Sequence, residues 1–294
     1  MTDQANRDHR FTDVVDLLPA EGADRFTGPP APERSGRTYG GQLLAQAVMA
    51  GHLTVPDDRL VNALHGLFLS AGEVDQPTAW VVERVRDGRS FGTRSVSGFQ
   101  SGRELCRVLL SFHVPEPGLA YEPPLDPPMA AIPPPDEVQT TYLDFCRAHP
   151  DTAAADWGGD ERPMDIRYID PPDPTGGPPV TEPQRMWLRI EGQLPDDRAV
   201  HQAGLAYLAD ATLIDHVLLP HGHRWHDARL TGVSLDHAMW FRSEARADRW
   251  LRYDQGVEAT AAARGLGIGR FHDETGTLIA SCAQEGLMRW SEPD

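Results

Sequence analysis

The sequence predicts an α+β protein made of two similar halves, each with one helix followed by an antiparallel sheet. Three observations support this prediction: a proline-rich stretch divides the chain, motifs recur on both sides of it, and each half carries one apolar helix. The strand-like segments alternate apolar and polar residues and are joined by tight turns, which is typical of antiparallel pairing. A helix and such a sheet in each half give the α+β plan.

The proline-rich stretch marks the boundary between the halves. Nine prolines fall in the segment that begins at Pro115 and ends at Pro135. Proline has no backbone N–H to donate, so this stretch is predicted to be extended and to act as a linker. We expect an N-terminal domain over residues 1–115 and a C-terminal domain over residues 161–294. Residues 116–160 form the linker, with a short helix expected from Val138 to Ala148.

The two halves share motifs at a nearly constant spacing. The segment Leu64-His65-Gly66-Leu67-Phe68 resembles Asp236-His237-Ala238-Met239-Trp240, and a phenylalanine (Phe99 or Phe271) follows each histidine at the same distance along the chain. Equivalent motifs in the two halves are separated along the chain by the same number of residues as His65 and His237, or by one residue more. A constant offset indicates an internal duplication. The alignment matches His65 with His237, which favours a structural role for both histidines.

Each half has one strongly apolar helix ahead of its strands. The first is predicted over Gly41–Met49, where apolar residues recur at helical spacing. The second is predicted to begin after Asp197, a good N-cap residue, and to run through Ala209 and beyond. Surface helices are rarely so apolar on all sides, so we expect a sheet to wrap around each of them.

The composition excludes several classes of protein. The chain has 27 basic and 44 acidic residues, a formal net charge of −17, and every basic residue is arginine. Schiff-base and pyridoxal-phosphate enzymes, Walker-type P-loops and Ser–Lys dyads each need a lysine ammonium group, so they are excluded. The negative charge argues against binding to nucleic acid or to an anionic membrane surface.

The cysteines and the N-terminus indicate the compartment. Three cysteines without C-x-x-C spacing argue against a disulfide framework and favour a reducing compartment. The N-terminal segment is too charged to begin a signal peptide. No apolar run approaches the ~18 residues that a membrane span needs. We therefore expect a soluble, cytoplasmic protein.

Two motifs suggest chemistry that their surroundings contradict. Gly88-Arg89-Ser90-Phe91-Gly92 fits the G-x-S-x-G nucleophile elbow, but a strand follows where that motif needs a helix, so a hairpin is predicted. His221-Gly222-His223-Arg224-Trp225-His226 is close to the zinc motif of the metallo-β-lactamase fold, but Trp225 replaces the aspartate ligand. A polar loop that holds no metal is the better interpretation.

Three polar residues of the second half are candidates for a site. Asp210 is the only carboxylate between Asp197 and Asp215 and lies in an apolar helix, where burial raises a carboxyl pKa. Gln284 shares a strand face with apolar residues, so its amide is expected to point inward. Ser234 opens another strand. Taken singly, each is also consistent with a buried polar residue whose hydrogen bonds are satisfied.

A family resemblance joins these three residues. Motifs in both halves resemble, in the correct order, those of type II acyl-CoA thioesterases: Tyr39–Gln42, Leu64–Leu69, Arg86–Phe91, Tyr207–Asp210, Ser234–Phe241 and Ala280–Arg289. The likeness covers nearly the whole chain outside the linker. It implies a double hotdog fold, in which two antiparallel sheets are each wrapped around a long central helix.

The resemblance also implies an activity. Asp210, Ser234 and Gln284 take the catalytic positions, with serine where many members have threonine. The implied reaction is hydrolysis of fatty acyl-CoA by direct attack of water, as part of fatty acid metabolism, without a metal or redox cofactor. Double hotdogs have exposed sheet surfaces, so a homodimer or a dimer of dimers is expected.

The first half lacks this polar set. At the repeat-equivalent position Ser111 stands opposite Gln284, and nothing ionisable near Met49 matches Asp210. We expect the first half to supply core, interface and acyl pocket instead. The phosphates of coenzyme A need arginines, for which the candidates are Arg86, Arg89, Arg94 and Arg264.

Three alternatives stay open at this point. A non-catalytic acyl-CoA-binding or regulatory protein on the same fold would have no reason to keep a desolvated aspartate. A hotdog dehydratase acting on enoyl-CoA would be expected to carry a His–Asp or His–Glu pair at the central helix, and this helix offers Asp210 with no histidine in a suitable position. A serine-hydrolase triad of Ser234, His237 and Asp236 is disfavoured because residues 234 and 237 lie on opposite faces of a strand unless a bulge intervenes.

Overall fold

The computed structural model describes residues 10–30, 36–138, 141, 144, 162–171, 173, 176–225, 227 and 229–291. The described α-helices are α1 (Phe11–Val14), α2 (Gly40–His52) and α3 (Arg198–Ala209), and the 3-10 helices are Met129–Ala131, Pro135–Glu137 and Asp215–His221. The helix predicted from Val138 to Ala148 lies almost entirely outside the described residues. Among those residues, no helix has the length and apolar character to cross a membrane.

Within the described residues, thirteen strands form one antiparallel sheet. The first half contributes β1 (Leu18–Pro19), β2 (Arg25–Gly28), β3 (Leu60–Phe68), β4 (Thr78–Asp87), β5 (Phe91–Gln100) and β6 (Arg103–His113). The second half contributes β7 (Met164–Tyr168), β8 (Gln184–Ile190), β9 (Leu230–Ser234), β10 (Asp236–Phe241), β11 (Leu251–Ala261), β12 (Arg264–His272) and β13 (Leu278–Trp290).

The strand order relates the two halves by symmetry. The order is β1-β2-β4-β5-β6-β3-β10-β13-β12-β11-β8-β7, and β9 also pairs with β13. In the middle, β3 and β10 pair antiparallel, with Leu64 opposite Met239 and Gly66 opposite His237. We call this pair of strands the seam. The order β4-β5-β6-β3 on one side is reversed as β10-β13-β12-β11 on the other, so an approximate two-fold axis passes through the seam.

The two long helices pack against the sheet and against each other. α2 contacts β2 to β6, and α3 contacts β3, β8 and α2. Ten of the thirteen residues of α2 and ten of the twelve residues of α3 are buried. The apolar sequence of each helix is therefore used in one core that both halves share.

α3 begins where predicted and ends sooner. Asp197 is its N-cap, and the Asp197 carboxylate accepts a hydrogen bond from the Ala199 N–H at 2.9 Å. The helix ends at Ala209, so the prediction that it continues beyond this residue is wrong. Asp210 is the C-cap residue and not part of the helix interior. The chain then leads into the 3-10 helix Asp215–His221.

The strand register corrects the alignment of the halves by one position. His65 and Ala238 pair across the seam and share its more exposed face, whereas Leu64 and His237 lie on the buried face. The two-fold axis therefore carries His65 to Ala238. We call the separation of these two residues along the chain the register offset, and it matches each residue of β3 with a residue of the β9–β10 segment. His65 does not match His237. Because side chains alternate along a strand, a slip of one residue moves each of them to the opposite face.

This register also changes the residue that matches Gln284. The partners of the two matched residues in the neighbouring strands, Leu109 and Ala283, must match each other as well. The next residues along these strands are Leu110 and Gln284, which therefore match, and both are fully buried. The prediction that Ser111 is the counterpart of Gln284 is wrong.

The matched strands also carry matching irregularities. The pairing of β3 with β6 shifts its register between Val61 and Ala63, around Asn62. The register offset carries Val61 to Ser234 and Asn62 to Leu235. At this place the second half also has one residue more than its partner strand β13. Val61 is therefore the counterpart of Ser234.

The hairpin predicted at the G-x-S-x-G sequence is confirmed. β4 ends at Asp87 and β5 begins at Phe91, and the Gly88 N–H donates to the Phe91 carbonyl at 2.8 Å. No helix follows this turn, so Ser90 does not have the strand–turn–helix setting that a nucleophile elbow needs.

Candidate active site

Two tyrosine hydroxyls hold the turn that carries Asp210. Tyr39 Oη donates to the Tyr207 carbonyl at 2.7 Å, and Tyr253 Oη donates to the Ala209 carbonyl at 3.0 Å. The last carbonyls of a helix have no donor within the helix, so these hydroxyls supply what the buried end of α3 lacks. One tyrosine comes from each half of the chain, and together they fix the position of Asp210.

Ser234 lies at a β-bulge between β9 and β10. Ser234 pairs with Gly286 and Ala238 with Ala283, so this strand has one residue more than β13 between the two pairs. The Asp236 carboxylate accepts a hydrogen bond from the Glu285 N–H at 2.8 Å within the bulge. A bulge bends the strand and redirects its side chains. Here it brings Ser234 and His237 towards Asp210 at the end of α3.

Gln284 joins the other two predicted residues. Its Nε2 atom donates to Asp210 Oδ1 at 2.6 Å and to Ser234 Oγ at 2.9 Å. The structure therefore brings Asp210, Ser234 and Gln284 into one hydrogen-bonded group. Gln284 Oε1 is buried and has no partner among the described residues. The Asp210 side chain is 6% exposed and Ser234 is partly buried, so the group is nearly, but not completely, closed to solvent.

The N-terminus of α2 closes over Asp210 from the first half. The Gly41 N–H donates to the Asp210 carboxyl group. A Cβ atom on Gly40 would lie 2.6 Å from Asp210 Oδ2, and one on Gly41 would lie 2.5 Å from the Tyr207 carbonyl oxygen. Any side chain at these positions would displace the site. Glycine therefore lets the helix N-terminus, whose dipole stabilises negative charge, approach the carboxylate.

Burial sets the charge of two carboxyl groups here. Desolvation raises the pKa of Asp210 to about 7, although the hydrogen bonds from Gln284 and Gly41 act in the opposite direction. Burial also raises the pKa of Asp215 to about 7, and the charge of Asp210 adds to this shift. Part of the Asp215 surface stays accessible. A carboxylate whose pKa lies near neutrality is suited to take up a proton during a reaction.

His237 is the residue of this site that the sequence misplaced. Its Nδ1 atom lies 4.0 Å from Asp210 Oδ1, because the bulge lets residues 234 and 237 approach the same group. The bulge named as the exception is therefore present, and the expectation of opposite faces does not apply to Ser234 and His237. Burial lowers the pKa of His237 to about 4, against the effect of the nearby Gln284 side chain. Neither ring nitrogen makes a well-formed hydrogen bond within the described residues, so Ser234 and His237 form no nucleophile–base pair.

The arginines expected to hold phosphates are not equally available. Arg94 is fully buried and donates to Asp87 Oδ1 at 2.7 Å and to Thr54 Oγ1 at 2.8 Å. It cannot reach a ligand, so the prediction for Arg94 is wrong. Arg264 is exposed but pairs with Glu285 at 3.0 Å.

Sequence reasoning missed the residues that position the three candidates. Tyr39, Gly40 and Tyr253 were not singled out as parts of the site, although Tyr39 and Gly40 open one of the recognised motifs. A Gly-Gly pair at the start of an apolar helix is a usable signal of close approach. Tyr253 carries no such signal, because its role depends on where the end of α3 packs.

The sheet with its enclosed helices places the chain in the class of hotdog-fold thioesterases. The family model described as acyl-CoA thioesterase matches residues 160–287. A second model, described as acyl-CoA thioesterase N-terminal domain, matches residues 29–113. The chain belongs to the acyl-CoA thioesterase family.

Individual relatives match over nearly their full length. Human acyl-coenzyme A thioesterase 8 is 33% identical over 288 residues, which are 95% of this chain and 88% of that protein. Acyl-CoA thioesterase 2 of Haemophilus influenzae is 28% identical, over 96% of this chain and 99% of that protein. The crystal structure of the acyl-CoA thioesterase II TesB2 from Mycobacterium marinum has a TM-score of 0.76 and 31% identity, covering 96% of this chain and 99% of that one.

Proposed function

We propose that this protein hydrolyses acyl-CoA thioesters to a free acid and coenzyme A by direct attack of water. The observation that carries the proposal is the hydrogen-bonded group of Asp210, Gln284 and Ser234. It combines a proton acceptor with a hydroxyl and an amide that can hold a water molecule. Membership of the acyl-CoA thioesterase family supports the substrate class.

The proposed reaction needs no covalent intermediate on the enzyme. The water oxygen forms a bond to the thioester carbonyl carbon while Asp210 takes a proton from the water. The carbonyl oxygen becomes an oxyanion, for which the N-terminus of α2 at Gly40 offers a backbone N–H and the positive end of the helix dipole. The intermediate then collapses, the C–S bond breaks, and the proton on Asp210 passes to the coenzyme A thiolate.

The proposed organisation of the molecule follows the symmetry of the sheet. We infer two hotdog units, over residues 1–115 and 161–294, that are joined by the linker over residues 116–160. The matched family models, over residues 29–113 and 160–287, support this division. The second unit carries the three proposed catalytic residues. A homodimer or dimer of dimers, a cytoplasmic location and a role in fatty acid metabolism belong to the same proposal.

The alternative of a binding protein without activity is less well supported. Keeping a buried carboxyl group with a pKa of about 7 costs free energy whenever the group is ionised. A pocket that only binds an acyl group gains nothing from this cost. A positioned base gains the ability to accept a proton near neutral pH.

The decisive experiment measures thiol release from acyl-CoAs of two to eighteen carbons with a chromogenic disulfide. We expect the wild type to release thiol with a preferred chain length, and Asp210→Asn to lower kcat by about 10²–10⁴-fold because the base is lost. Asp197→Asn is the matched control, because asparagine also serves as an N-cap and residue 197 lies at the other end of α3. An Asp210→Asn variant with near-native turnover would refute the mechanism.

The pH profile tests the same base. The Asp210 carboxylate must be ionised to accept a proton, and its pKa is about 7. We therefore expect kcat/KM to rise with pH below about 7 and to level off above it. A profile that is already flat from pH 5 upward would exclude a base with this pKa.

A further inference from the structure

A large cavity lies at the opposite end of the helix pair from Asp210. Its volume is about 690 Å³, and it opens beside the N-terminus of α3. Val61 and Phe241 line this cavity. By the register offset they match Ser234 and Phe68, which lie at the active site. The two-fold axis of the seam therefore carries the active site onto this cavity, which we call the counterpart cavity.

We propose that the counterpart cavity is a second binding site for an acyl thioester of coenzyme A, which is bound there without being hydrolysed. The inference rests on the proposed function, because the ligand class is that of the proposed substrate. The volume lies within the range of ~300–1,000 Å³ that is usual for ligand pockets.

Hydrolysis is not expected in the counterpart cavity, because it lacks residues equivalent to the hydrogen-bonded group of the active site. Val61 and Leu110 occupy the positions that match Ser234 and Gln284, and neither can hold water. The end of α2 matches the end of α3, where Asp210 lies. α2 ends at His52, whose Nε2 atom lies 3.0 Å from Gln202 Oε1. Burial lowers the pKa of His52 to about 4, so this ring is neutral and already paired.

Binding is expected because His201, a residue of the cavity lining, has a ring donor without a partner within the described residues. His201 lines the cavity, and its Nδ1 atom accepts a hydrogen bond from the Ala247 N–H at 3.2 Å. The ring hydrogen must then be on Nε2, which is buried and has no partner within the described part of the chain. Such a donor lacks an acceptor. A thioester or amide carbonyl of the ligand supplies one without introducing a charge.

The remaining lining suits the two ends of such a ligand. Leu60, Leu205 and Leu251 provide an apolar wall for the acyl chain. Arg242 and Arg249 also line the cavity and are exposed, and within the described residues neither has an ion pair. Unpaired guanidinium groups are suited to phosphates.

The other charges at the rim are largely engaged. Arg198 pairs with Glu244, and Arg246 pairs with Asp248 at 2.8 Å and with Asp196 at 3.1 Å. The acidic turn Asp273–Glu274 also lines the cavity. We therefore expect the phosphates of the ligand to lie on the side of Arg242 and Arg249.

The test counts ligands per chain by isothermal titration with an S-alkyl thioether of coenzyme A, which cannot be hydrolysed. We expect two molecules to bind to each wild-type chain. Ser243→Trp, at an exposed position of the cavity lining, should reduce this number to one and leave kcat/KM for thiol release unchanged. Ser291→Trp is the matched control at another exposed serine and should still bind two.

A second pair of variants tests the arginines. Arg242→Glu with Arg249→Glu should weaken the second binding event by roughly tenfold or more, while the first event stays unchanged. Arg25→Glu with Arg270→Glu makes the same charge change at exposed arginines outside the cavity and should leave both events unchanged.

The possible failures are distinguishable. One bound thioether per wild-type chain, with normal thiol release, would overturn the second site and leave the proposed function intact. Two bound molecules that persist in Ser243→Trp would overturn its location. Absent thiol release from every acyl-CoA would refute the proposed function instead.

Discussion

At one end of the α2–α3 pair, Asp210, Ser234 and Gln284 share hydrogen bonds, whereas at the other end Val61 and Leu110 occupy the positions of Ser234 and Gln284. The backbone around the two ends is related by the seam, so the fold does not require the polar residues. Valine and leucine are what a core position favours, since they have no polar groups to satisfy. The polar set therefore needs a reason other than folding.

Among the changes that exchange residues between the two ends, the largest effect is expected from making the active site like its counterpart. Gln284→Leu removes both hydrogen bonds of the amide, and it removes a contact that lowers the pKa of Asp210. We expect kcat to fall by about 10²-fold or more, and the rise of activity with pH to move to higher pH. Steady-state thiol release across a pH series measures both.

The reciprocal change provides the control for this prediction. Leu110→Gln places an amide at the matching position, where no equivalent of the Asp210 carboxylate or the Ser234 hydroxyl is present to accept its hydrogen bonds. It should leave kcat unchanged and lower the free energy of unfolding by about 1–3 kcal/mol, because a buried amide is left unpaired. If Gln284→Leu kept more than a tenth of the wild-type activity, Gln284 would not be part of the catalytic group.

A smaller effect is expected at Ser234. Ser234→Ala removes the hydroxyl that accepts from Gln284 Nε2 at 2.9 Å, and kcat should fall on the order of tenfold if one hydrogen bond to the water is lost. Ser234→Thr keeps the hydroxyl and should retain most of the activity. Equal rates for the alanine and threonine variants would mean that the hydroxyl does not act in catalysis.

The smallest effect concerns stability. The pKa of Asp210 is raised to about 7 by burial, so the folded protein holds this proton more tightly than the unfolded chain does. The stability that the protonated group provides is present at low pH and is lost as the pH rises through about 7. Asp210→Asn cannot ionise. We expect its stability relative to the wild type to increase by on the order of 2 kcal/mol between pH 5 and pH 8.

Chemical denaturation of both proteins at the two pH values measures this difference. Asp197→Asn again serves as the control, because the N-cap aspartate is exposed. A stability difference between Asp210→Asn and the wild type that does not change with pH would show that Asp210 is not desolvated in the folded protein.

The sequence was sufficient for the repeat and the two long helices, and the family resemblance joined the three polar candidates. These depend on local patterns: apolar spacing, turns and motif order. It was not sufficient for the register that relates the two halves, because a shift of one residue decides which face of a strand is buried. The sequence pattern alone is compatible with matching either His65 or Leu64 to His237. The pairing of β3 with β10 settles this, and it is a contact between distant parts of the chain.

The bulge at Leu235 escaped prediction for a related reason. An extra residue in one strand is visible only against its partner, and it is stabilised here by the Asp236 carboxylate and the Glu285 N–H. Without the bulge, the alternation of residues puts His237 on the face away from Ser234. The position of His237 beside Asp210 was therefore beyond the reach of the sequence pattern.

The seam also has a consequence for how the protein can change. In a dimer of identical subunits, every substitution appears at both symmetry-related places, so a residue harmful to one place is carried by the other as well. In this chain the two halves are encoded separately, and positions 110 and 284 hold a leucine and a glutamine. Each of the two pockets can therefore acquire its own specificity by mutation without altering the other.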